Sequence, residues 1–161
     1  MGKTIAHSPA SAADVPPPYR GHDTFMPYVL NQATAALNAD FQLVLRSHGM
    51  TLLHWRVLAF LCETDSLGVS ALARMTGVEQ ATLSRALMVM EKAGFLARQP
   101  SQDDQRMVVI HLLEAGRRQF QKVLPPAWEI YTKAVRGLSQ EEQQTLHHLL
   151  NRIRDNMAQS V

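Results

Sequence analysis

The stretch SALARMTGVEQATLSRALMVMEK, residues 70–92, decides how this chain folds. Leu72 and Met75 are spaced as the inner face of a short helix that Ser70 can cap. The run Thr76-Gly77-Val78 breaks that helix, since glycine accepts the positive φ of a tight turn. A second helix runs from about residue 79 to 92 and stops at Gly94, with Leu83, Ala86, Leu87 and Met90 on one face. Ala73 is small where two helices would cross closely. Two short helices meeting at a glycine turn read either as an ordinary helical hairpin or as a helix-turn-helix.

The residues that follow favour the second reading. Val108, Ile110 and Leu112 alternate with Val109 and His111 in the two-residue period of a strand, and residues 95–99 can pair with them. Between them lies a polar loop, residues 100–106. Helix, turn, helix and a two-stranded wing is the order of a winged helix.

Further outward the pattern is helical. Leu30, Ala33, Leu37, Phe41, Val44 and Leu45 recur at helical spacing from Phe25 onward, and Gly49 is a suitable stop. Thr51 can cap a second helix carrying Trp55, Leu58 and Leu61, which fades at Thr64-Asp65-Ser66. After the wing, a long helix is expected from about residue 114 to 136, kinked or interrupted by Pro125-Pro126 and ended by Gly137. Ser139 and Glu142 form a capping box for a last helix striped with Leu146, Leu149, Leu150, Ile153 and Met157. Residues 1–23, rich in Ala, Ser and Pro, read as a flexible tail. Residues 24–161 read as one domain, with a lobe at about 51–112 flanked by helices at about 25–48 and 113–158. The fold class is therefore mostly α with a small β-wing.

Composition narrows the classes. The chain of 161 residues is 46% hydrophobic, ordinary for a globular protein, and its net charge of +2 permits a nucleic-acid partner without demanding one. One cysteine, Cys62, excludes an internal disulfide and favours the cytoplasm. No apolar run is long enough to span a bilayer, and no signal peptide is visible. There is no Gly-rich phosphate loop, nucleophile elbow or metal triad, so no enzyme, cofactor or metal is expected. His147 and His148 point about 100° apart on a helix and do not chelate together. Cys62, in an apolar run beside Glu63, reads as a buried, inert thiol with a raised pKa.

The outward face of the helix at 79–92 carries Gln80, Ala81, Thr82, Ser84, Arg85 and Met88. Singly each is a solvated surface residue. Together they put short polar groups and one arginine where a recognition helix meets base edges. Arg85 suits a guanine edge or a phosphate, Gln80 an adenine, and Thr82 and Ser84 phosphate oxygens. Between residues 70 and 110 there are five cations (Arg74, Arg85, Lys92, Arg98, Arg106) against four anions (Glu79, Glu91, Asp103, Asp104), a weak field for a DNA surface. Placement must therefore count for more than net charge.

With the segments TLLHWRVLAFL and DDQRMVVIHLLEAGRRQF, the motif resembles the MarR (multiple-antibiotic-resistance regulator) family of bacterial transcription regulators. The resemblance covers roughly residue 50 to the C-terminus. It implies a winged helix-turn-helix with N- and C-terminal dimerisation helices, acting on double-stranded DNA as a homodimer. Repression is the expected outcome by analogy. A two-fold dimer implies a pseudo-palindromic operator with half-sites roughly 10 bp apart. By resemblance, Arg106 enters the minor groove and Asp104 shapes the wing tip, while Arg85 is the recognition-helix arginine. Gln105 stands where the family often has Arg, and Leu113 where it often has the Thr that caps the long helix. The family also implies release by a small aromatic or phenolic effector. Candidate contacts are Arg56 or His54 for a carboxylate and Trp55 or Tyr28 for a ring; in the alternative, Trp55 is a core anchor. The competing class is a winged-helix module that binds protein instead of DNA.

Overall fold

Gly77 takes the left-handed backbone that its place between two helices requires, with φ 70° and ψ 28°. Its N–H and that of Val78 both donate to the Ala73 carbonyl, which closes the first helix. In the computed structural model, residues 18, 20–101 and 107–158 are described. The chain divides into two units between Ala36 and Leu37. The first holds a 3₁₀ turn, His22–Thr24, and the opening turns of α1 (Met26–Ser47).

The second unit holds the rest of α1 and the elements that position the site. These are α2 (Leu52–Thr64), β1 (Ser66–Gly68), α3 (Val69–Thr76), α4 (Gln80–Lys92), β2 (Leu96–Pro100), β3 (Val108–Leu112), α5 (Glu114–Ala134) and α6 (Gln140–Ala158). The expected fold class, mostly α with a small β-wing in helix-turn-helix order, is the one observed. Leu58, Leu61, Leu72, Leu83, Leu87 and Ile110 are at most 1% exposed and form the centre of the lobe. Leu83 and Leu87, one turn apart on α4, lock that helix inward, each contributing about 1.5–3 kcal/mol by burial.

Four local expectations are corrected. The sheet has three strands in the order β1-β3-β2, both pairings antiparallel, instead of two. Strand β1 is three residues long, too short to show a period, and exists because Ser66, Leu67 and Gly68 pair with His111, Ile110 and Val109. That pairing holds the chain extended up to Gly68, so α3 begins at Val69 and Ser70 lies inside it instead of capping it. Met75 is 44% exposed. The inward position one turn beyond Leu72 belongs to buried Thr76, whose hydroxyl donates to the Leu72 carbonyl at 2.7 Å. Finally, of the kink or interruption expected at Pro125-Pro126, the interruption does not occur, and α5 runs on through both prolines. Two backbone donors are missing there, but the fully buried Val123 just ahead fastens the helix to the core.

The caps behave as their residue types dictate. The Thr51 hydroxyl accepts from the His54 N–H at 3.2 Å, and the Thr51 N–H donates to His54 Nδ1. That ring nitrogen must be unprotonated to accept, and burial lowers the His54 pKa in the required direction. Ser139 and Glu142 form the expected reciprocal box at the start of α6. Leu113 precedes α5 without a side-chain cap. Among the described residues nothing buries the apolar stripe of α6: Leu146, Leu149, Leu150 and Met157 are 46%, 47%, 40% and 68% exposed, Ile153 is half-buried, and no residue of α6 is fully buried. No helix among the described residues is long and apolar enough to cross a membrane.

Candidate nucleic-acid interface

Once Leu83, Leu87 and Met90 are committed to the core, the 3.6-residue period leaves the other side of α4 facing solvent. Gln80, Ala81, Thr82, Arg85 and Met88 are all exposed there, and Ser84 is half-buried. Among the described residues the Arg85 Nε donates to the Ala81 carbonyl of its own helix, at 3.4 Å. Among the described residues, no carboxylate pairs with Arg74, Arg85 or Lys92. Neither helix of the motif has a side-chain cap: Gly68 precedes α3, and Glu79 precedes α4 with its carboxylate unused. Among the described residues the first amides of both helices are therefore unclaimed by side chains, a favourable arrangement for phosphate oxygens.

A crevice of about 310 Å³ runs between the start of α3, the inner edge of α4 and the root of the β2–β3 hairpin. Ser70, Gln80, Ser84, Arg98 and Met107 line it. The hairpin is closed at its described end by the Ser101 N–H donating to the Met107 carbonyl at 2.8 Å. Asp104 and Arg106 lie outside the described residues.

One charged group proves not to be free. Arg98 is held by Glu91: its Nε donates to Oε2 at 2.8 Å, its Nη2 lies 2.6 Å from the same oxygen, and its backbone N–H donates to Oε1 at 3.2 Å. The guanidinium holds the Glu91 carboxyl below the usual carboxylate range. Counting charges along the chain treats Arg98 as a free cation. The signal that could have found the pair is an acid and a base seven residues apart on either side of the Gly94 turn.

The four candidate effector contacts are placed as follows. Trp55 stacks on Phe120 (centroids 4.5 Å apart, planes 18° apart) and meets Phe41 edge-on at 5.3 Å, so it serves as a core anchor. His54 completes the cap of α2. Arg56 Nη1 donates to the Thr76 carbonyl at 3.3 Å, tying α2 to the end of α3. Tyr28, half exposed in the first unit, packs against Phe25 with ring centroids 5.7 Å apart. Cys62 is half-buried, and desolvation pushes its thiol pKa up, partly opposed by Arg117. His147 and His148 are exposed on α6.

The arrangement defines a winged helix-turn-helix protein with an open reading helix. Comparison with known proteins agrees. Residues 48–107 match the family model described as MarR family. A probable transcriptional regulator from Pseudomonas aeruginosa, known from its crystal structure, is 32% identical with a TM-score of 0.72, over 81% of this chain and 98% of that one. NadR, solved in complex with 4-hydroxyphenylacetate, is 26% identical with a TM-score of 0.75, over 86% of this chain and 97% of that one. Among curated relatives, the homoprotocatechuate degradative operon repressor of Escherichia coli is 28% identical over 129 residues, 80% of this chain and 86% of the repressor. The chain belongs to the MarR family of transcriptional regulators.

Proposed function

We propose that this protein is a sequence-specific DNA-binding repressor that grips a pseudo-palindromic operator as a homodimer. The observation that carries this reading is the exposed face of α4. Gln80, Thr82 and Arg85 stand clear of the core, and Arg85 has no acidic partner among the described residues. The lobe at about 51–112 meets the DNA: α4 enters the major groove, Ser84 and the free amides ahead of it meet phosphate, and Ala81 and Met88 offer apolar contact to thymine methyls. Asp104 and Arg106 act from the wing at the adjacent minor groove. Selection of random duplex DNA at near-physiological salt should return a palindromic motif with half-sites roughly 10 bp apart. No enrichment would sink the reading.

The exposed stripe of α6 supports the dimer, because a row of leucines 40–47% exposed is unfavourable unless a second copy covers it. Replacing Leu146 and Leu150 together by Asp should give a folded monomer of 18.0 kDa by sedimentation. Operator affinity should fall roughly 10²–10⁴-fold as the second half-site is lost. A double variant that remains dimeric would exclude this face.

A small aromatic or phenolic acid is the proposed releasing ligand. NadR is solved with such an acid, and the E. coli repressor is named for the homoprotocatechuate degradative operon. His54 and Arg56 can offer a carboxylate their ring and guanidinium, since their present contacts are long, 3.4 and 3.3 Å. Titration of 4-hydroxyphenylacetate or salicylate into the operator complex should release DNA. Retention at millimolar acid would count against an aromatic effector.

A further inference from the structure

The geometry points to Glu91 as a positioning residue for DNA reading: its carboxylate grips Arg98 and so fixes the root of the wing to the far end of α4. The inference rests on the proposed function. Glu91 lies in the last turn of α4 and Arg98 in the middle of β2. Between them the chain reverses at Gly94, whose φ is 72°. One carboxylate oxygen takes the Arg98 backbone N–H and the other takes its guanidinium. Because backbone and side chain are both held, β2 neither slides along α4 nor turns about its own axis without breaking a contact.

The grip is passed on through the sheet. Arg98 pairs in register with Ile110 of β3, and Ile110 pairs on its other side with Leu67 of β1. The β2–β3 hairpin is the element whose connecting residues include Asp104 and Arg106. A reader that touches two grooves binds best when the spacing of its two elements is set beforehand, since ordering them on contact weakens binding. The core does not need the pair. Leu87, Met90, Leu96 and Ile110 are already at most 1% exposed, whereas the two charged side chains keep about a third of their surface in water, 33% and 35%. Partly exposed pairs contribute little to folding. Loss of the pair should therefore show in DNA binding and not in melting.

The test uses the operator recovered by selection and a double-mutant cycle with the wing arginine. Glu91→Ala should weaken operator binding about ten-fold, although it removes a negative charge from the DNA-facing lobe, a change that by itself favours binding. In an Arg106→Ala background the same change should weaken binding less than about two-fold, because a mispositioned wing matters only while the wing contacts DNA. Arg98→Lys keeps the cation but not its fork and should reproduce the Glu91→Ala pattern. Melting at fixed protein concentration should be nearly unchanged in all of them. Equal losses in both backgrounds would mean a merely structural role and overturn the proposal. So would unchanged or tighter binding by Glu91→Ala alone. A wild type that enriches no motif overturns the DNA reading itself, and the strut with it.

Discussion

Arg85→Ala is expected to weaken binding to the selected operator by about 5- to 150-fold, the equivalent of about 1–3 kcal/mol for one good arginine contact to a base. The magnitude follows from the surroundings of this side chain. Its Nε makes one long bond to the Ala81 carbonyl, and among the described residues no carboxylate competes for it, so the guanidinium reaches DNA with little to give up. The variant should fold normally, because the residue is exposed and alanine is the strongest helix former. Two readouts tell its target apart. If Arg85 reads guanine, the motif selected by the variant loses specificity at one position per half-site. If it holds a phosphate, all sequences weaken alike and the salt dependence drops by about one ion per contact. Unchanged affinity, motif and salt slope would remove α4 as the reading helix.

Gly116→Ala should lower stability by about 3 kcal/mol or more, at the upper end of overpacking effects. A Cβ built on Gly116 would sit 2.2 Å from the Phe95 carbonyl oxygen and 2.9 Å from Leu112 Cδ1. The nearest atom is backbone, and it is held: the same carbonyl accepts the Leu113 N–H at 3.0 Å. It therefore cannot move aside without loosening the junction where α5 leaves the sheet. For a chain of this length the loss corresponds to a melting temperature lower by roughly 6–12 °C at fixed protein concentration. A shift under about 2 °C would show that α5 can back away from Phe95 freely. The variant should also bind operator less well, since Phe95 directly follows the Gly94 turn that ends α4. Arg85→Ala should leave melting untouched, so the two variants separate reading from holding.

Much of the fold was legible because it is written in short-range patterns. Leu83, Leu87 and Met90 announce the inner face of α4 by spacing alone, and once that face is assigned the outer one follows. Thr51 and the Ser139–Glu142 pair announce helix starts because each satisfies a backbone donor within three residues. The three-residue β1 was not legible, as it has no periodicity and depends on a partner more than forty positions away in the chain. The start of α3 was not legible for the same reason, because a strand ending at Gly68 lets the helix begin at Val69; that Thr76 and not Met75 turns inward depends instead on how α3 packs.

Of the candidate site, the exposure of Gln80, Ala81, Thr82, Arg85 and Met88 was readable from helical period. The state of Arg98 was not. Its charge is visible in the sequence, but whether that charge is free depends on the turn that brings Glu91 against it.

By itself, then, the sequence determined the order of the helices and the β2–β3 hairpin, the inner and outer faces of the reading helix and the caps at Thr51 and Ser139, because these arise from short-range patterns. Only the tertiary structure decided that Trp55 stacks against Phe120, that no described residue covers the leucines of α6, that a Cβ at Gly116 would meet the Phe95 carbonyl and that Glu91 holds Arg98. Each of these depends on which distant surfaces meet, and that is set by burial of the whole core and carries no local signature.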